Sequence, residues 1–350
     1  MKIAVVGCGI SGMTSAYLLS PKHEVTLFEA DNRLGGHTAT VDIEVPSGRY
    51  AIDTGFIVFN DWTYPNFIRL MNKLEVSLLD SEMSFSVKNE KTELEYNGAN
   101  LNRLFIQRKN LLNPSFYKML IEIIRFNREA SSAIEKPGSE NLTLADFLSK
   151  HRFSKMFFEN YISPMGGAIW SSNHEQMLSF PFQFFVRFFK NHGMLSVDER
   201  PVWKIIQNGS RSYIEPLTRT FRERIHLNSP VMSVKRKPGS VELGIGGTHP
   251  RVRDFDQVVF ACHSDSTKRI IGTDMTPLER EILEPFAYQP NDVVLHLDES
   301  VLPKHRGAWA AWNVFLPEVK KGSVAVTYNM NILQRLEAPE TFLVSLNLTD

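Results

Sequence analysis

The first thirty residues constrain this chain more than any other stretch. Ile3-Ala4-Val5-Val6 is an unbroken apolar run, as a strand buried on both faces requires. It leads straight into Gly7-Cys8-Gly9-Ile10-Ser11-Gly12, a G-x-G-x-x-G. Met13, Ala16, Tyr17 and Leu18 then recur at helical spacing, and Pro21 stops that helix. Val25, Leu27 and Phe28 make a second apolar strand, closed by Glu29. The three glycines have separate physical reasons. Gly7 permits the tight turn out of the strand, Gly9 removes a Cβ where a pyrophosphate approaches, and Gly12 lets the helix pack closely on the strand. The first turn, Ile10 and Ser11 included, aims unpaired N–H groups and partial positive charge at the phosphates. Glu29, with Ala30 beside it, is placed to bind the ribose hydroxyls of an adenosine.

A second glycine element identifies the nucleotide. Arg33-Leu34-Gly35-Gly36-His37-Thr38 follows Glu29 closely. Its paired glycines again permit backbone approach beside a pyrophosphate, with Arg33 as a counter-charge. Nicotinamide dehydrogenases have no general need for such an element, so the expected dinucleotide is FAD. An NAD(P)-dependent dehydrogenase is the alternative, and it predicts tight NAD(H) binding without flavin. Next comes Ala51-Ile52-Asp53-Thr54-Gly55-Phe56, a strand ending in a turn.

At 350 residues the chain suits two intergrown domains, and its 43% hydrophobic and 22% charged residues are ordinary for a globular protein. Acidic and basic residues balance at 39 each, so no overall charge draws nucleic acid or an anionic membrane, although a zero sum leaves room for local patches. Cys8 and Cys262 stand alone, which excludes a Cys-rich zinc site and fits a reducing, cytoplasmic setting. No metal site is expected. No stretch reaches eighteen uninterrupted apolar residues, so no spanning helix is expected, and the glycines in the N-terminal apolar run argue against a signal peptide. Helices are expected over 64–74, 114–130, 144–152, 181–192 and 215–222, with Thr143 capping the third. Strands are expected over 225–227, 231–235, 241–245, 257–261, 293–297, 308–315, 323–328 and 342–348, and a flexible loop over 131–141.

Taken together, G-x-G-x-x-G, Glu29, R-L-G-G-H and D-T-G-F resemble the flavin-containing amine oxidase and phytoene desaturase superfamily. More narrowly, the chain is similar to a bacterial family of predicted FAD/NAD-binding oxidoreductases. That resemblance rests on D-T-G-F-I-V-F-N (53–60), T-Y-P-N (63–66), M-S-F-S-V (83–87), A-I-W-S (168–171), F-V-R-F (185–188), A-W-A-A-W-N (308–313) and V-T-Y-N-M-N (326–331). It implies an α/β fold: a Rossmann-like FAD-binding domain of the GR2 type with a parallel sheet, carrying an inserted α+β substrate domain with a mixed or antiparallel sheet. The FAD-binding domain would be discontinuous, 1–60 with 202–272, and the substrate domain 61–201 with 273–350. The resemblance also implies FAD contacts from Thr38, Thr54, Gly55 and Phe56, an adenine contact from the backbone of Val231, and passage of Ala261 near the pyrophosphate. The implied activity is removal of a hydride from a C–H bond, and the aromatic content of the chain points to a small, largely apolar substrate.

Two departures bear on that activity. Relatives carry a further G-x-W…G-F-H-E segment that grips the flavin ring, which these 350 residues lack, so the expectation is either a fragment or a naturally short chain. Many amine oxidases place a lysine near flavin N5, whereas the comparable stretch here reads Gln289-Pro290-Asn291-Asp292-Val293. Amine oxidation is therefore less expected than the superfamily name suggests. Genes of the narrow family often neighbour those of lipid-modifying enzymes, so a non-catalytic flavin-binding partner in a lipid-modification system stands as a further alternative.

The remaining residues read more plainly. Cys8 is a small spacer in the glycine loop. His37 is expected to bond phosphate or backbone, and Asp53 to brace the turn before Gly55. His192, His263 and His296 read as structural. Phe180–Phe189 holds six phenylalanines at helical spacing, mostly core, with an apolar channel or a lipid-contacting surface as the sharper reading. Trp170, Trp309, Trp312 and Tyr328 either line a pocket or pack. No catalytic base and no oligomeric state are legible.

Overall fold

The computed structural model describes residues 1–196, 198–318 and 324–348. β1 (Lys2–Val6), α1 (Ile10–Leu19) and β2 (Glu24–Phe28) form as the apolar pattern requires. β1 lies between β2 and the strand Gln257–Phe260, and β2 also pairs with Ile225–His226. The result is a four-stranded sheet in which every pairing is parallel. Both its faces are covered. On one side α1 and Phe221 bury Ile3, Val5, Val25 and Leu27. On the other, an antiparallel sheet of Val231–Lys237, Ser240–Ile245 and Arg251–Phe255 buries Ala4, Val6 and Phe28. Each fully buried Val, Leu, Ile or Phe contributes about 1.5–3 kcal/mol, which is why an uninterrupted apolar run is the signature of such a strand.

The second large element is a six-stranded mixed sheet. Its order is Val293–His296, Leu343–Leu346, Ala325–Asn329, Trp312–Leu316, Phe85–Asn89 and Leu94–Asn97. Only the pairing of Trp312–Leu316 with Phe85–Asn89 is parallel. Val87, Val314, Val326 and Val344 are buried on this sheet, and the helix Ser163–Trp170 approaches it. A smaller antiparallel hairpin, β3 (Thr40–Val45) and β4 (Gly48–Asp53), runs out from the glycine elements.

The helical region is knit by phenylalanine. The helix Phe182–Asn191 buries Phe182, Phe185 and Phe189 against Phe126, Phe147 and Phe157 of neighbouring helices. Phe147 stacks on Phe182 with ring centroids 4.2 Å apart. The phenylalanine run is thus core, and Phe184 is its one exposed member, at 55%. Trp170 packs against Phe180, Phe185 and Phe188. Trp309 donates its indole N–H to the Pro303 carbonyl, and Trp312 sits edge-on to Tyr328. These aromatic groups pack.

Several expectations need correction. The 131–141 stretch is not a plain loop. The helix Pro114–Ala133 runs into it, Gly138 turns at φ +86°, and a 3-10 turn follows over Ser139–Asn141. Buried Ser139 anchors that turn by donating to the Lys136 carbonyl and accepting from Gln183 Nε2. The 215–222 helix is only Ile214–Thr218, after which burial of Phe221 redirects the chain. The 308–315 strand starts at Trp312, because Arg306–Ala308 is a 3-10 turn. The first residue of the expected 323–328 strand, Ser323, lies outside the described residues, and the strand there is Ala325–Asn329.

Removing a ring from the phenylalanine core is costly. Phe185→Ala is expected to lower unfolding free energy by about 3–5 kcal/mol, whereas exposed Phe184→Ala changes it by about 1 kcal/mol or less. Denaturant melts of the two variants side by side check this.

Candidate functional site

The site begins where β1 ends. Gly7 leaves the strand at φ +99°, a conformation that favours glycine, and a Cβ there would come within 2.9 Å of the Ala261 carbonyl oxygen. A Cβ on Gly12 would overlap the Gly7 carbonyl oxygen, so α1 lies on β1 only because residue 12 has no side chain. Gly9 differs. The nearest atom to its missing Cβ is the Gly35 carbonyl oxygen at 4.0 Å, so the space above it is open. α1 starts at Gly9 with no side-chain cap and no acid in its first turn, and Ser11 is exposed there. That is an uncompensated helix N-terminus of ten residues, facing open space over a glycine.

The second glycine element docks on the first. Gly35 donates its N–H to the Cys8 carbonyl (3.0 Å), and Gly9 and Gly35 form a parallel bridge. A Cβ on Gly36 would lie 3.1 Å from the Gly9 Cα. Arg33 lies across the loop, donating to the carbonyls of Gly36 (2.9 Å) and Thr38 (3.2 Å), with Asp31 3.7 Å away. Its charge is in place, but part of its donor set already serves the backbone.

Glu29 sits at the carboxyl end of β2. One carboxylate oxygen accepts the Cys8 N–H (2.7 Å) and the other the Asp31 N–H (3.0 Å). The Glu29 carbonyl accepts from the Ser229 N–H, which brings the start of the Val231 strand alongside. Ala30 is exposed just beyond. Ala261 closes the base, its N–H donated to Val6 and its Cβ close to Gly12. Gly7, Gly9, Gly12, Glu29, Gly35, Gly36, Val231 and Ala261 therefore come together.

Others among the expected residues turn elsewhere. Thr38 is buried, its hydroxyl hydrogen-bonded to that of Tyr213. Burial, partly offset by that bond, pushes the Tyr213 phenol up to about 12. The Thr54 hydroxyl donates to the Ala39 carbonyl. The Phe56 ring packs on Phe59 and Phe67. Cys8 is fully buried, and burial, then the Glu29 carboxylate, push its thiol up to about 12. At neutral pH it holds no thiolate and is a spacer. Cys262 is also a free thiol.

Asp53 braces more than its own turn. Its buried carboxylate accepts from the Ser210 N–H (2.9 Å), the Ser210 hydroxyl (2.8 Å) and the Thr40 hydroxyl (2.6 Å). Burial raises its pKa against the pull of those donors.

His263 reads from sequence as an isolated structural residue, but it stands at the site. Its ring stacks on His37 at 5.4 Å and on Tyr288 at 4.8 Å. It lies two residues past Ala261, at the start of the helix Ser264–Ile271, and that proximity was the available signal. His192 bonds the Phe188 carbonyl and His296 the Ser345 hydroxyl, both within the fold.

Beside the glycine elements opens a cleft of about 510 Å³. Gly36, His37 and Gly55 form one side, and Val41, Ile43, Val293 and Leu295 give it an apolar wall. No lysine lines it. Among the described residues no cluster of three or more His, Cys, Asp or Glu could hold a metal, and no helix is long and apolar enough to cross a membrane.

Comparison with known proteins places this geometry in context. The sequence profile of a family described as flavin containing amine oxidoreductase matches residues 10–320. The L-amino-acid oxidase of Mus musculus is 31% identical over 109 residues, 31% of this chain, and the matched stretch spans only 16% of that enzyme. Cyclohexylamine oxidase from Brevibacterium oxydans superposes with a TM-score of 0.66 at 15% identity, covering 99% of this chain and 74% of that one. A CLA-producing fatty acid isomerase from P. acnes superposes equally well, TM-score 0.66 at 15% identity, over 98% and 76%. These superpositions show a shared fold of mixed helices and sheets.

Two substitutions separate the supports of the site. Gly12→Ala is expected to lower the melting temperature sharply, because the new methyl meets the Gly7 carbonyl and not a movable side chain. Asp53→Ala, which leaves the buried Ser210 N–H unpaired, is expected to cost about 1–3 kcal/mol in a denaturant melt.

Proposed function

The chain belongs to the flavin-containing amine oxidoreductase family, whose cofactor is FAD, and from that premise we propose that it is an FAD-dependent oxidoreductase acting on a largely apolar substrate. The observation that carries the proposal is the pair of glycine elements seated on each other, with an uncapped helix N-terminus, open space over Gly9 and Glu29 at the neighbouring strand end. These residues fit a dinucleotide. The N–H groups at Ile10, Ser11 and Gly12 would face the pyrophosphate, with Arg33 as counter-charge. Glu29 would exchange its bond to a backbone N–H for ribose hydroxyls. Val231 would lie at the adenine and Ala261 below the phosphates. Gly36, His37, Thr54 and Gly55 would border the ring end.

In this reading residues 1–60 and 202–272 form a Rossmann-like, GR2-type domain, and 61–201 with 273–350 the substrate domain. Support comes from the parallel sheet, whose strands all fall in the first set, and from the six-stranded sheet, whose strands all fall in the second. Free Cys8 and Cys262 support a reducing, cytoplasmic setting.

FAD, when bound, supplies a two-electron acceptor for a substrate C–H bond. The protein binds and orients. Val41, Ile43, Val293 and Leu295 would hold an apolar group against the ring end and exclude water. His37, held in its stack with His263 and Tyr288, would form a rigid edge of that cleft. The apolar wall of the cleft favours an uncharged substrate group over an amine.

Gly9→Ala is the discriminating variant. Gly9 has ordinary extended backbone (φ −71°) and free space, so its methyl disturbs no protein atom. The variant is expected to melt like the parent yet retain far less FAD, read as the visible flavin absorbance per protein after desalting. A parent chain that stays colourless after incubation with FAD would sink the proposal, as would a Gly9→Ala variant that binds flavin undiminished.

A further inference from the structure

Away from the glycine elements, the helix Pro114–Ala133 and the 3-10 turn Arg108–Leu112 before it carry an apolar face that no described residue covers. Leu112 is 90% exposed, Ile121 65% and Ile124 64%, and Leu111 and Tyr117 are exposed beside them. Tyr117, Ile121 and Ile124 recur at four and three residues, so they form one stripe along the helix. Leu111, Leu112, Tyr117 and Ile121 border an open groove of about 610 Å³. Isolated exposed aliphatics are ordinary, but a contiguous group of this size marks a docking surface.

Charge identifies the occupant. The whole chain is neutral, yet residues 101–128 hold six basic residues and one acid, Glu122. Glu122 is buried, accepts from Ser154 and pairs with Arg125, so it presents no charge to an approaching surface. Arg108, Lys109, Lys118 and Arg128 are exposed around the apolar stripe, and among the described residues none of the four is in an ion pair. Aliphatic side chains at the centre with unpaired cations at the margin match an anionic bilayer. The apolar groups enter the acyl boundary while the cations stay among the headgroups. A nucleic acid would use the cations and leave the leucine and isoleucine side chains in water. An ordinary protein interface is depleted in lysine, and here lysines stand beside the stripe.

We propose that this face, Leu111–Leu112 with the outer stripe of Pro114–Ala133, docks the protein peripherally on a membrane rich in anionic lipid. The surface differs from the phenylalanine run at 180–189, whose rings fill the interior. It is independent of the cofactor site, and it does not need the family's chemistry to operate.

The test is flotation of the full chain with vesicles of phosphatidylcholine alone and of phosphatidylcholine with phosphatidylglycerol. Binding is expected to the anionic vesicles only, and to weaken as salt is raised. Leu112→Glu with Ile121→Glu, and separately Lys109→Glu with Lys118→Glu, are each expected to lower partitioning by about tenfold or more. All four side chains are exposed, so thermal melts of both variants should match the parent and separate a lost surface from a lost fold. Equal binding to both vesicle types, no binding to either, or binding that the variants leave intact overturns the proposal. So does a parent that is dimeric in gel filtration and becomes monomeric with Leu112→Glu and Ile121→Glu, because the face is then an interface between copies.

Discussion

The architecture turns on the absence of one methyl group. Gly12 rests on the Gly7 carbonyl at a distance that leaves no room for a Cβ, and Gly7 is itself pressed against the Ala261 carbonyl. That triple contact sets the depth at which α1 lies on the parallel sheet. Everything at the carboxyl end of the sheet inherits its position from it. The helix N-terminus opens over Gly9, the Cys8 N–H meets Glu29, and the Cys8 carbonyl receives the second glycine element at Gly35. A larger residue at position 12 would displace the helix and with it the uncapped N-terminus that opens over Gly9.

Asp53 performs the equivalent task at the other edge of the site. A buried carboxylate is costly unless donors surround it, and here Ser210 and Thr40 supply three. Those donors come from the 3-10 turn Ser210–Tyr213 and from β3, while the Asp53 N–H is donated to Gln334 Oε1. One side chain and its own backbone thus fasten the hairpin, the 210–213 turn and the chain near the mixed sheet. The same Gln334 donates to the Ala51 carbonyl, which closes the tie from both sides. The cleft beside Gly55 lies between these fastened pieces. Its shape is therefore set by a charge that never reaches it.

How much of this was legible follows from what each segment buries. β1, α1 and β2 read directly, because a strand covered on both faces must be apolar throughout. The two glycine elements and Glu29 read directly too, since each occupies a place that only a small residue or an acid at a strand end fills, whereas Ala261 followed from the family resemblance alone. The strands Phe85–Asn89 and Leu94–Asn97 did not read as strands, because the mixed sheet buries polar side chains where a simple pattern has apolar ones. Ser86 donates to Asn313, whose amide serves the carbonyls of Ala310 and Thr327, and Thr327 meets Ser345. This internal hydrogen-bonded row crosses four strands and satisfies its members without solvent, so it leaves no alternation in the sequence. Arg251–Phe255 hid for the opposite reason: it is an edge strand whose residues are mostly exposed and charged. His263 was passed over because stacking on His37 is a relation between chain segments far apart in sequence.

The two apolar helices show the limit of periodicity most clearly. Phe182–Asn191 and Pro114–Ala133 both carry large apolar residues at three- and four-residue spacing. In the first, the stripe of Phe182, Phe185 and Phe189 meets rings from three neighbouring helices, and its richness in phenylalanine is a packing requirement. In the second, Phe116, Met119, Phe126 and Ala130 already satisfy the core, and Tyr117, Ile121 and Ile124 form a second stripe that no described residue covers. A helix needs one buried face to be held in a globular protein; a second apolar face adds nothing to folding and costs solubility. Its persistence beside unpaired cations, on a chain whose charges otherwise cancel, is the physical reason to look for its partner outside the molecule.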